Sequence, residues 1–330
     1  MIVTDMFINC LKRTSLVILA GYLASCSIPK TDLEPDQMTL LTIEKGEIIG
    51  SSNDKTFQWL GIQYGSIPNS SYRWKKASET EAWEGTFEAL EFGNTCIQRG
   101  SLINTTKRRN WGEIIGSEDC LYLNVWSPLD ALDSSSSKIP VMVWIHGGSN
   151  VSGNSDFYDP SELVKTQNVI VVSINYRLGP FGWFRHPNIT SNSENAEDQS
   201  GNYGNLDTVQ ALEWVQKNIG YFGGDASNVT IFGESAGGYN VAALLSAKNA
   251  KGLFHKAIIQ SGGIKPGDID HSESYLEENL PWKNYSSREL VNQLILNKGM
   301  ATDRDSAKSL QEGMSHSEME GLMRNASSEE

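Results

Sequence analysis

The chain has 330 residues, of which 39% are hydrophobic and 20% charged, and its formal net charge at pH 7 is −13. A chain of this length forms one large domain or two ordinary ones, and this hydrophobic content is enough for a sizeable core. The acidic balance repels phosphate backbones, so nucleic acid is not an expected partner, and no stretch after the N-terminus is apolar enough to span a bilayer.

The first 26 residues have the layout of a secretory signal. Lys12 and Arg13 precede the apolar run SLVILAGYLASC, which is too short to cross a membrane and ends at Cys26. Its last four residues, LASC, resemble the lipobox of bacterial lipoproteins, in which cleavage exposes the cysteine for acylation; an ordinary secretory signal is the alternative. We therefore expect an exported protein, either a bacterial outer-membrane lipoprotein, a periplasmic protein or a secreted one, with residues 27–38 as a spacer.

Cysteine usage agrees with export. Cys10 leaves with the signal and Cys26 is the candidate lipidation site, so Cys96 and Cys120 remain as a single pair in an oxidising compartment. Such a pair is either reduced or a disulfide, and a disulfide closing this loop would stabilise the fold by about 3 kcal/mol in the chain-entropy model.

The N-terminal half of the chain predicts a series of strands. Two short strands surround Lys45-Gly46 in TLLTIEKGEIIGSS, and a third follows in TFQWLGIQYG. After a loop-rich segment at 66–118 come three apolar runs bounded by turn residues: LYLNVW (121–126), PVMVWIH (140–146) and NVIVVSINY (168–176). Continuous apolar runs of this kind fit strands that are buried on both faces of a sheet.

From residue 205 the hydrophobic period changes to that of a helix. Apolar residues recur at spacings of three and four, as Leu206, Val209, Leu212, Val215 and Ile219. The strand VTIFG, the helix GYNVAALLSA and the strand HKAIIQSG follow, and the tail from 286 is helical and polar. This alternation predicts an α/β fold with a central, mostly parallel sheet, flanking helices and an N-terminal edge hairpin.

The pentapeptide Gly233-Glu234-Ser235-Ala236-Gly237 matches the pattern G-x-S-x-G. In this pattern a strand turns sharply into a helix, which strains the backbone of the serine and exposes its hydroxyl, while the glycines leave room for neighbouring backbone. An apolar strand precedes the pentapeptide and a helix follows it. We therefore interpret Ser235 as a nucleophile rather than as part of a structural turn.

A serine nucleophile also needs hydrogen-bond donors for the oxyanion that forms on its substrate. The backbone N–H of Ala236, directly after the serine, supplies one. The strand that ends in WIHGGS (144–149) supplies others, because an H-G-G loop points backbone amides at the acyl carbonyl. A plain glycine turn is disfavoured because both patterns occur together and in the right order.

Six stretches together resemble the type-B carboxylesterases, the family that includes the cholinesterases. They are EDCLYLNVW (118–126), VWIHGG (143–148), NYRLGPFGW (175–183), GNYGNLDTVQALEWVQKNIGYFGGD (201–225), GESAGG (233–238) and LFHKAIIQSG (253–262). The resemblance runs from about residue 40 to residue 330. It implies the α/β-hydrolase fold and hydrolysis of a small-molecule ester through an acyl-serine intermediate, with no cofactor and no metal.

The resemblance also implies a role for individual residues of the site. Ser235 matches the nucleophile, and Gly148, Ser149 and Ala236 match the three oxyanion donors, with Gly147 just before them. Glu234 resembles the acidic residue beside the nucleophile, which either tunes the catalytic histidine electrostatically or is a hydrogen-bonded buried acid.

Other matched positions are structural. Cys96 and Cys120 match the first disulfide of the family, and two pairs of residues match buried salt bridges: Arg73 with Glu118, and Arg177 with Asp207. Removing one partner of such a pair would leave a buried charge and cost about 3–5 kcal/mol.

The sequence departs from the family beside the oxyanion donors. The family usually has Gly or Ala and then an aromatic residue, where this chain has Ser149 and Asn150. Amide donation survives such a change, but the shape of the acyl pocket need not.

The triad partners of Ser235 are not identifiable. In α/β-hydrolases the triad runs Ser, then Asp or Glu, then His along the chain, and in this family both partners lie further from the serine than the 95 residues that follow Ser235. The sequence offers His146 in the oxyanion loop, His186 in a polar loop, His255 at the start of a core strand, and His271 and His316 in polar segments. None is expected to be the base.

We therefore expect residues 39–330 to be the N-terminal portion of a longer esterase domain, truncated before its C-terminal part, which would be its missing partner. Two alternatives stay open: a cholinesterase-like binding or adhesion protein, and a catalytically inactive fragment. Binding relatives usually lose the nucleophile, whereas this chain keeps Ser235.

Overall fold

A seven-stranded sheet organises the fold in a computed structural model that describes residues 33–67, 69–101, 104, 110–133, 135, 137–191, 193, 195–264, 267–275 and 286–330. Residues Pro35–Glu330 form one compact unit. The predicted signal, with Cys10 and Cys26, and the first part of the spacer lie outside the described residues.

The strands of the described ranges alternate with helices from residue 139 onward, as the sequence predicts. They are β1 (Leu41–Ile43), β2 (Gly46–Ile49), β3 (Ser51–Ser52), β4 (Thr56–Gln63), β5 (Thr86–Glu88), β6 (Gln98–Arg99), β7 (Ile114–Ile115), β8 (Tyr122–Pro128), β9 (Ile139–Ile145), β10 (Ile170–Ile174), β11 (Gly224–Glu234) and β12 (Lys256–Gln260).

The α-helices of the same ranges include three near the C-terminus, where the sequence predicts a helical tail. They are α1 (Ser161–Gln167), α2 (Gly179–Gly182), α3 (Pro187–Thr190), α4 (Tyr203–Asn218), α5 (Ala236–Ser246), α6 (Ile269–Glu273), α7 (Ser287–Asn297), α8 (Arg304–Gly313) and α9 (His316–Arg324). Among the described residues, no helix has the length and apolar character needed to cross a membrane.

The central sheet is mixed. Its strand order is β12-β11-β9-β10-β8-β4-β3. The pairings from β12 to β10 are parallel, and those from β10 to β3 are antiparallel. The predicted α/β fold with flanking helices is confirmed. Strand direction cannot be read from the residues of a strand, so the antiparallel half was not foreseen.

The N-terminal hairpin forms where the sequence predicts it, with Ile43 paired to Gly46. It does not extend the central sheet, however. β1 and β2 form a separate three-stranded sheet with β5, and the edge of the central sheet on this side is the two-residue strand β3.

The core lies between the sheet and the amphipathic helix α4. All five residues of β10 are buried, as the continuous apolar run predicts. Leu212 and Val215 of α4 are fully buried in the same cluster as Val143 of β9 and Ile231 of β11. This packing fixes the strands whose carboxyl ends carry the candidate site.

Strand β12 is present, but the expectation of a core strand is wrong. Within the described residues it pairs only with β11, so it forms an edge of the sheet. Ile258 is 43% exposed and Ile259 is 40% exposed. Because successive residues of a strand point to opposite faces, apolar surface is exposed on both faces of this edge, although Ala257 packs against the core.

The tail helices form a second, smaller core with residues from much earlier in the chain. Val291 and Ile295 of α7 and Met323 of α9 cluster with Trp74 and Phe184. The two aromatic rings stack with their centroids 4.6 Å apart. The polar tail is therefore amphipathic and is packed against the rest of the unit.

A reciprocal arginine contact ties α9 to the loop before Trp74. Arg73 donates from Nη1 to the carbonyl oxygens of Arg324 at 2.9 Å and Ala326 at 2.6 Å. Arg324 donates from its own Nη1 to the carbonyl oxygen of Ser71 at 3.2 Å. Residues about 250 positions apart are joined in this way.

Candidate active site

The candidate site begins where β11 turns into α5. Ser235 stands between them as the N-cap of α5, with φ 52° and ψ −119°. This backbone conformation is one that glycine adopts readily and other residues only under strain. Strain of this kind is typical of the nucleophile elbow that the sequence predicts.

Close packing holds the elbow in place. A Cβ added to Gly237 would lie 2.0 Å from the carbonyl oxygen of Ile145, and one added to Gly233 would lie 2.7 Å from the same oxygen. Neither position can accept a side chain, because real Cβ atoms do not approach backbone so closely. The two glycines of the motif therefore let the elbow rest directly on the end of β9.

The loop that follows β9 lies against the same elbow. A Cβ on Gly147 would lie 2.8 Å from the carbonyl oxygen of Glu234 and 3.4 Å from Cβ of Ser235. Gly148 has φ 104°, and a side chain there would meet the carbonyl oxygen of Ser152 at 2.1 Å. The structure thus brings together the predicted nucleophile and the residues of the predicted oxyanion loop.

Two non-glycine residues of this loop also have positive φ. Ser149 has φ 57° and Asn150 has φ 58°. The carbonyl oxygen of Gly148 accepts bonds from the N–H groups of Val151 and Ser152, each at 3.0 Å, which close a tight turn. The loop after β9 is therefore as sharply bent as the elbow beside it.

The predicted oxyanion donors have no acceptor of their own. Among the hydrogen bonds of the described residues, none uses the backbone N–H of Gly148, Ser149 or Ala236 as its donor. Ala236 is the first residue of α5, where backbone N–H groups have no partner within the helix. These amides are therefore available as donors, and the positive end of the helix dipole favours negative charge beside the start of α5.

His146 lies beneath the loop and is not placed as a base for Ser235. Its ring stacks on Tyr176 at a centroid distance of 4.3 Å, and its Nδ1 lies 2.8 Å from the carbonyl oxygen of Gly147. Burial lowers the pKa of His146 to about 4, although the bond to Gly147 opposes the shift. The neutral ring therefore donates from Nδ1, and its buried Nε2 has no partner among the described residues.

The other four histidines do not bond to Ser235 either, within the described part of the chain. His186 is buried rather than in a polar loop; its Nε2 lies 3.2 Å from Oε1 of Gln311. His255 accepts at Nδ1 from the N–H of Val229 at 3.1 Å. His271 faces Asp268 on the surface, and His316 begins α9.

Glu234 does not match one of its two predicted roles. The side chain is exposed, so the hydrogen-bonded buried acid is wrong for this structure. Its Oε2 lies 3.0 Å from the position that a Cβ on Gly147 would occupy. The acid therefore borders the oxyanion loop, where electrostatic tuning of the site remains the role to test.

Most of the predicted structural residues line one small cavity. Cys96 and Cys120 form a disulfide with a Cα–Cα distance of 4.9 Å, which confirms the predicted pair. The disulfide borders a cavity of about 10 Å³ that is also lined by Arg73, Glu118 and Arg177.

Both predicted ion pairs are present. Arg177 binds Asp207 through Nε and Oδ2 at 2.8 Å, and both side chains are almost fully buried. Arg73 binds Glu118 through Nε and Oε2 at 2.7 Å, but Glu118 is 26% exposed, so this pair is only partly buried. The backbone N–H of Arg177 also donates to Asp207 at 3.0 Å.

Two polar residues near the site were not found by sequence reasoning. Asn240 of α5 bonds to the side chain of Asn150, and Tyr176 donates to the carbonyl oxygen of His146 at 2.6 Å. The available signal was Asn240 itself, a polar residue within the apolar helix run GYNVAALLSA. In the described ranges, no group of three or more His, Cys, Asp or Glu side chains could hold a metal ion.

The sequence and the fold were compared with known proteins. A sequence model described as the carboxylesterase family matches residues 37–315. Para-nitrobenzyl esterase of Bacillus subtilis is 43% identical over 228 residues, which are 68% of this chain and 44% of that protein. Carboxylesterase 1E of Mus musculus is 38% identical over 77% of this chain and 44% of that protein.

Solved structures give the same result. A thermophilic PNB esterase has a TM-score of 0.65 at 33% identity, covering 88% of this chain and 55% of that one. A carboxylesterase of Geobacillus stearothermophilus has a TM-score of 0.59 at 40% identity, covering 68% of this chain and 44% of that one. The chain thus spans about half the length of the relatives it matches.

Proposed function

Because this chain belongs to the carboxylesterase family, we propose that it provides the nucleophile and the oxyanion hole of a serine hydrolase that acts on carboxylic esters. One observation carries the proposal: the loop after β9 lies against Ser235, because a Cβ added to Gly147 would be only 3.4 Å from Cβ of Ser235. The H-G-G loop and the elbow therefore form a single site.

In the proposed reaction, Oγ of Ser235 attacks the carbonyl carbon of the ester as a base removes its proton. The carbonyl oxygen becomes an oxyanion that accepts hydrogen bonds from the N–H groups of Gly148, Ser149 and Ala236. The tetrahedral intermediate then collapses, the alcohol leaves with a proton, and the acyl group stays on Ser235. Water hydrolyses this acyl-serine by the same route, which releases the acid.

We propose that the base and its acidic partner come from residues beyond these 330. The relatives are about twice as long as the part that matches, and none of the five histidines bonds to Ser235 within the described residues. The bare edge of β12, with Ile258 and Ile259 exposed, is suited to further sheet and helices of the same protein. We call the chain together with that continuation the active form.

Hydrolysis of p-nitrophenyl acetate and butyrate tests the proposal, with the 330-residue chain and the active form assayed side by side. We expect hydrolysis by the active form and a loss of at least about 10³-fold in kcat on Ser235→Ala. An organophosphate should add its mass to the peptide that contains Ser235.

Each result against expectation has a distinct meaning. Hydrolysis that survives Ser235→Ala would rule out the acyl-serine mechanism. Full activity of the 330-residue chain, lost on Ser235→Ala, would place the base within these residues and refute the proposed continuation. Absence of both activity and labelling in the active form would favour the binding protein or the inactive fragment.

We also propose that the protein is exported and that Cys26 carries a lipid. The disulfide between Cys96 and Cys120 supports an oxidising compartment. Metabolic labelling with a fatty acid in a bacterial host, followed by membrane fractionation, compares the parent with Cys26→Ser and with the control Cys10→Ser. We expect label and membrane association to be lost only in Cys26→Ser; acylated, membrane-bound Cys26→Ser protein would contradict the proposal.

A further inference from the structure

A reciprocal pair of side-chain amides connects the loop after β9 to the helix after Ser235. Asn240 donates from Nδ2 to Oδ1 of Asn150 at 2.9 Å, and Asn150 donates from Nδ2 to Oδ1 of Asn240 at 3.3 Å. Asn240 is only 3% exposed. A buried amide with both of its hydrogen-bonding atoms engaged holds its partner in one orientation.

The pair spans the two parts of the candidate site. Asn150 directly follows Ser149, one of the proposed oxyanion donors, and Asn240 lies five residues after Ser235 on the helix that Ser235 caps. The distance between the proposed donors and the nucleophile therefore depends on this link. Oxyanion stabilisation is sensitive to that distance, because donors act only at about 2.7–3.1 Å from the oxygen.

The loop needs such a link because its backbone is unfavourable on its own. Ser149 and Asn150 both have positive φ, which residues with a side chain seldom adopt in succession. A conformation of this kind persists only where surrounding contacts impose it. The amide pair includes Asn150 and is directly adjacent to Ser149.

Asn150 makes two further contacts with the segment after β10. Its carbonyl oxygen accepts from the N–H of Gly179 at 2.6 Å, and its Oδ1 also lies 3.4 Å from the hydroxyl of Tyr176. Tyr176 in turn donates to the carbonyl oxygen of His146. Asn150 is thus held between the segment after β10 and α5.

We infer that the Asn150–Asn240 pair positions the oxyanion donors of Gly148 and Ser149 relative to Ser235. The inference rests on the proposed function and adds two positioning residues to it. Asn150 stands where the resembled family usually has an aromatic residue, so this chain reaches the loop geometry by hydrogen bonding. An uncharged amide does this without placing a negative charge beside the developing oxyanion.

The test is steady-state hydrolysis of p-nitrophenyl butyrate by the active form with Asn240→Ala, Asn240→Ser and Asn150→Ala. Serine is too short to span to Asn150, so both Asn240 variants break the pair without changing the loop sequence. We expect kcat to fall about 10- to 100-fold in each variant while KM stays within about 3-fold, since the donors act mainly in the transition state.

The double variant Asn150→Ala/Asn240→Ala separates a pair from two independent residues. If the two amides act together, kcat of the double variant should match kcat of the less active single variant, within about 3-fold. Multiplied losses would contradict the pair. Asn218→Ala is the matched control, because Asn218 is also a buried asparagine but accepts from the N–H of Glu44 rather than from a residue of the site.

The remaining outcomes also decide the question. Unchanged kcat in the Asn240 variants, with activity lost on Ser235→Ala, would overturn the positioning role and leave the proposed function intact. Activity that survives Ser235→Ala would overturn the proposed function itself. If both Asn240 variants fail to fold while Asn218→Ala folds, or if Asn218→Ala lowers kcat equally, the pair supports the fold rather than the oxyanion loop.

Discussion

The elbow and the oxyanion loop are neighbouring turns that hold the same kind of backbone strain in different ways. Both follow parallel strands, β11 and β9, and both contain residues with positive φ: Ser235 at 52°, Ser149 at 57° and Asn150 at 58°. The elbow is held by contact, since Gly233 and Gly237 leave no space against Ile145. The loop is held by hydrogen bonds from the side chain of Asn240 and from the hydroxyl of Tyr176, which donates to the carbonyl oxygen of His146.

The difference predicts what each turn tolerates. A turn held by contact is sensitive to added volume, because a core cannot absorb even one methyl group at such distances. A turn held by hydrogen bonds is sensitive to the loss of polar atoms, because a buried group that loses its partner costs free energy. This turn is also sensitive to protonation of His146, whose Nδ1 lies 2.8 Å from the carbonyl oxygen of Gly147.

The largest effect should come from the support of the loop. Arg177 is held by Asp207 just before Gly179, which donates to Asn150. Asp207→Asn keeps the shape but leaves a buried guanidinium without its counter-charge, so the free energy of unfolding in urea should fall by about 3–5 kcal/mol. Glu79→Gln, which breaks an exposed pair with Lys217, should cost less than about 1 kcal/mol. Equal losses in both would refute the role of Asp207.

Added volume should break the elbow next. Gly237→Ala places a Cβ 2.0 Å from a backbone oxygen, and we expect it to lower the free energy of unfolding by about 3 kcal/mol and to reduce labelling of Ser235. Gly220→Ala is the matched control, because no heavy atom lies within 4 Å of its new methyl group. Thermal unfolding compares the two, and similar stabilities would show that the elbow is not held by contact.

Acid should loosen the loop rather than the elbow. The pKa of His146 is about 4 when folded, against 6.5 for a free histidine, so the unfolded chain binds the extra proton first. The stability that neutral His146 contributes is therefore complete above about pH 6.5 and is lost as the pH falls towards 4, by about 3 kcal/mol in total.

The measurement is the free energy of unfolding between pH 7 and pH 4.5 in the parent and in His146→Gln. The variant lacks one titrating group, so its free energy of unfolding should fall less steeply, by up to about 1.4 kcal/mol per pH unit. His186, whose pKa burial also lowers to about 4, keeps part of the pH dependence in both proteins. Parallel curves would show that His146 does not titrate in this way.

The smallest effect should come from relieving strain with glycine. Ser235→Gly should raise the free energy of unfolding by about 1 kcal/mol while it abolishes labelling, because φ 52° with ψ −119° is strained for serine. Ser149→Gly should change stability by less than about 0.5 kcal/mol, since glycine's gain at a φ of 57° is offset by its freedom in the unfolded chain. Equal gains would mean that the two turns store equal strain.

Local patterns in the sequence were enough to find both turns. G-x-S-x-G and H-G-G each specify a backbone shape within a few residues, and the strands before them are continuous apolar runs. The Asn150–Asn240 pair could not be predicted in this way, because its members are 90 residues apart and neither belongs to a motif. The sequence shows that Asn150 replaces the aromatic residue usual in the family, but it does not show that Asn240 is the partner of Asn150.

Two features of the fold escaped prediction for a related reason. β12 is as apolar as a core strand, yet composition does not say which neighbours a strand has, and Ile258 and Ile259 prove to be exposed. Glu234 is fixed by its motif next to Ser235, but its exposure depends on what covers the end of the sheet. Burial is a property of the assembled molecule, whereas the motifs are properties of short segments.

The reciprocal contact between Arg73 and Arg324 has a consequence for the order in which the molecule is completed. Glu118 accepts from one side of the Arg73 guanidinium, whereas the acceptors of Nη1 among the described residues are carbonyl groups near the end of α9. Until that helix has been synthesised and has docked, the chain between Arg73 and Arg324 is not closed into a loop, and Nη1 of Arg73 lacks these acceptors. A segment translated among the first hundred residues is therefore among the last to reach its final structure.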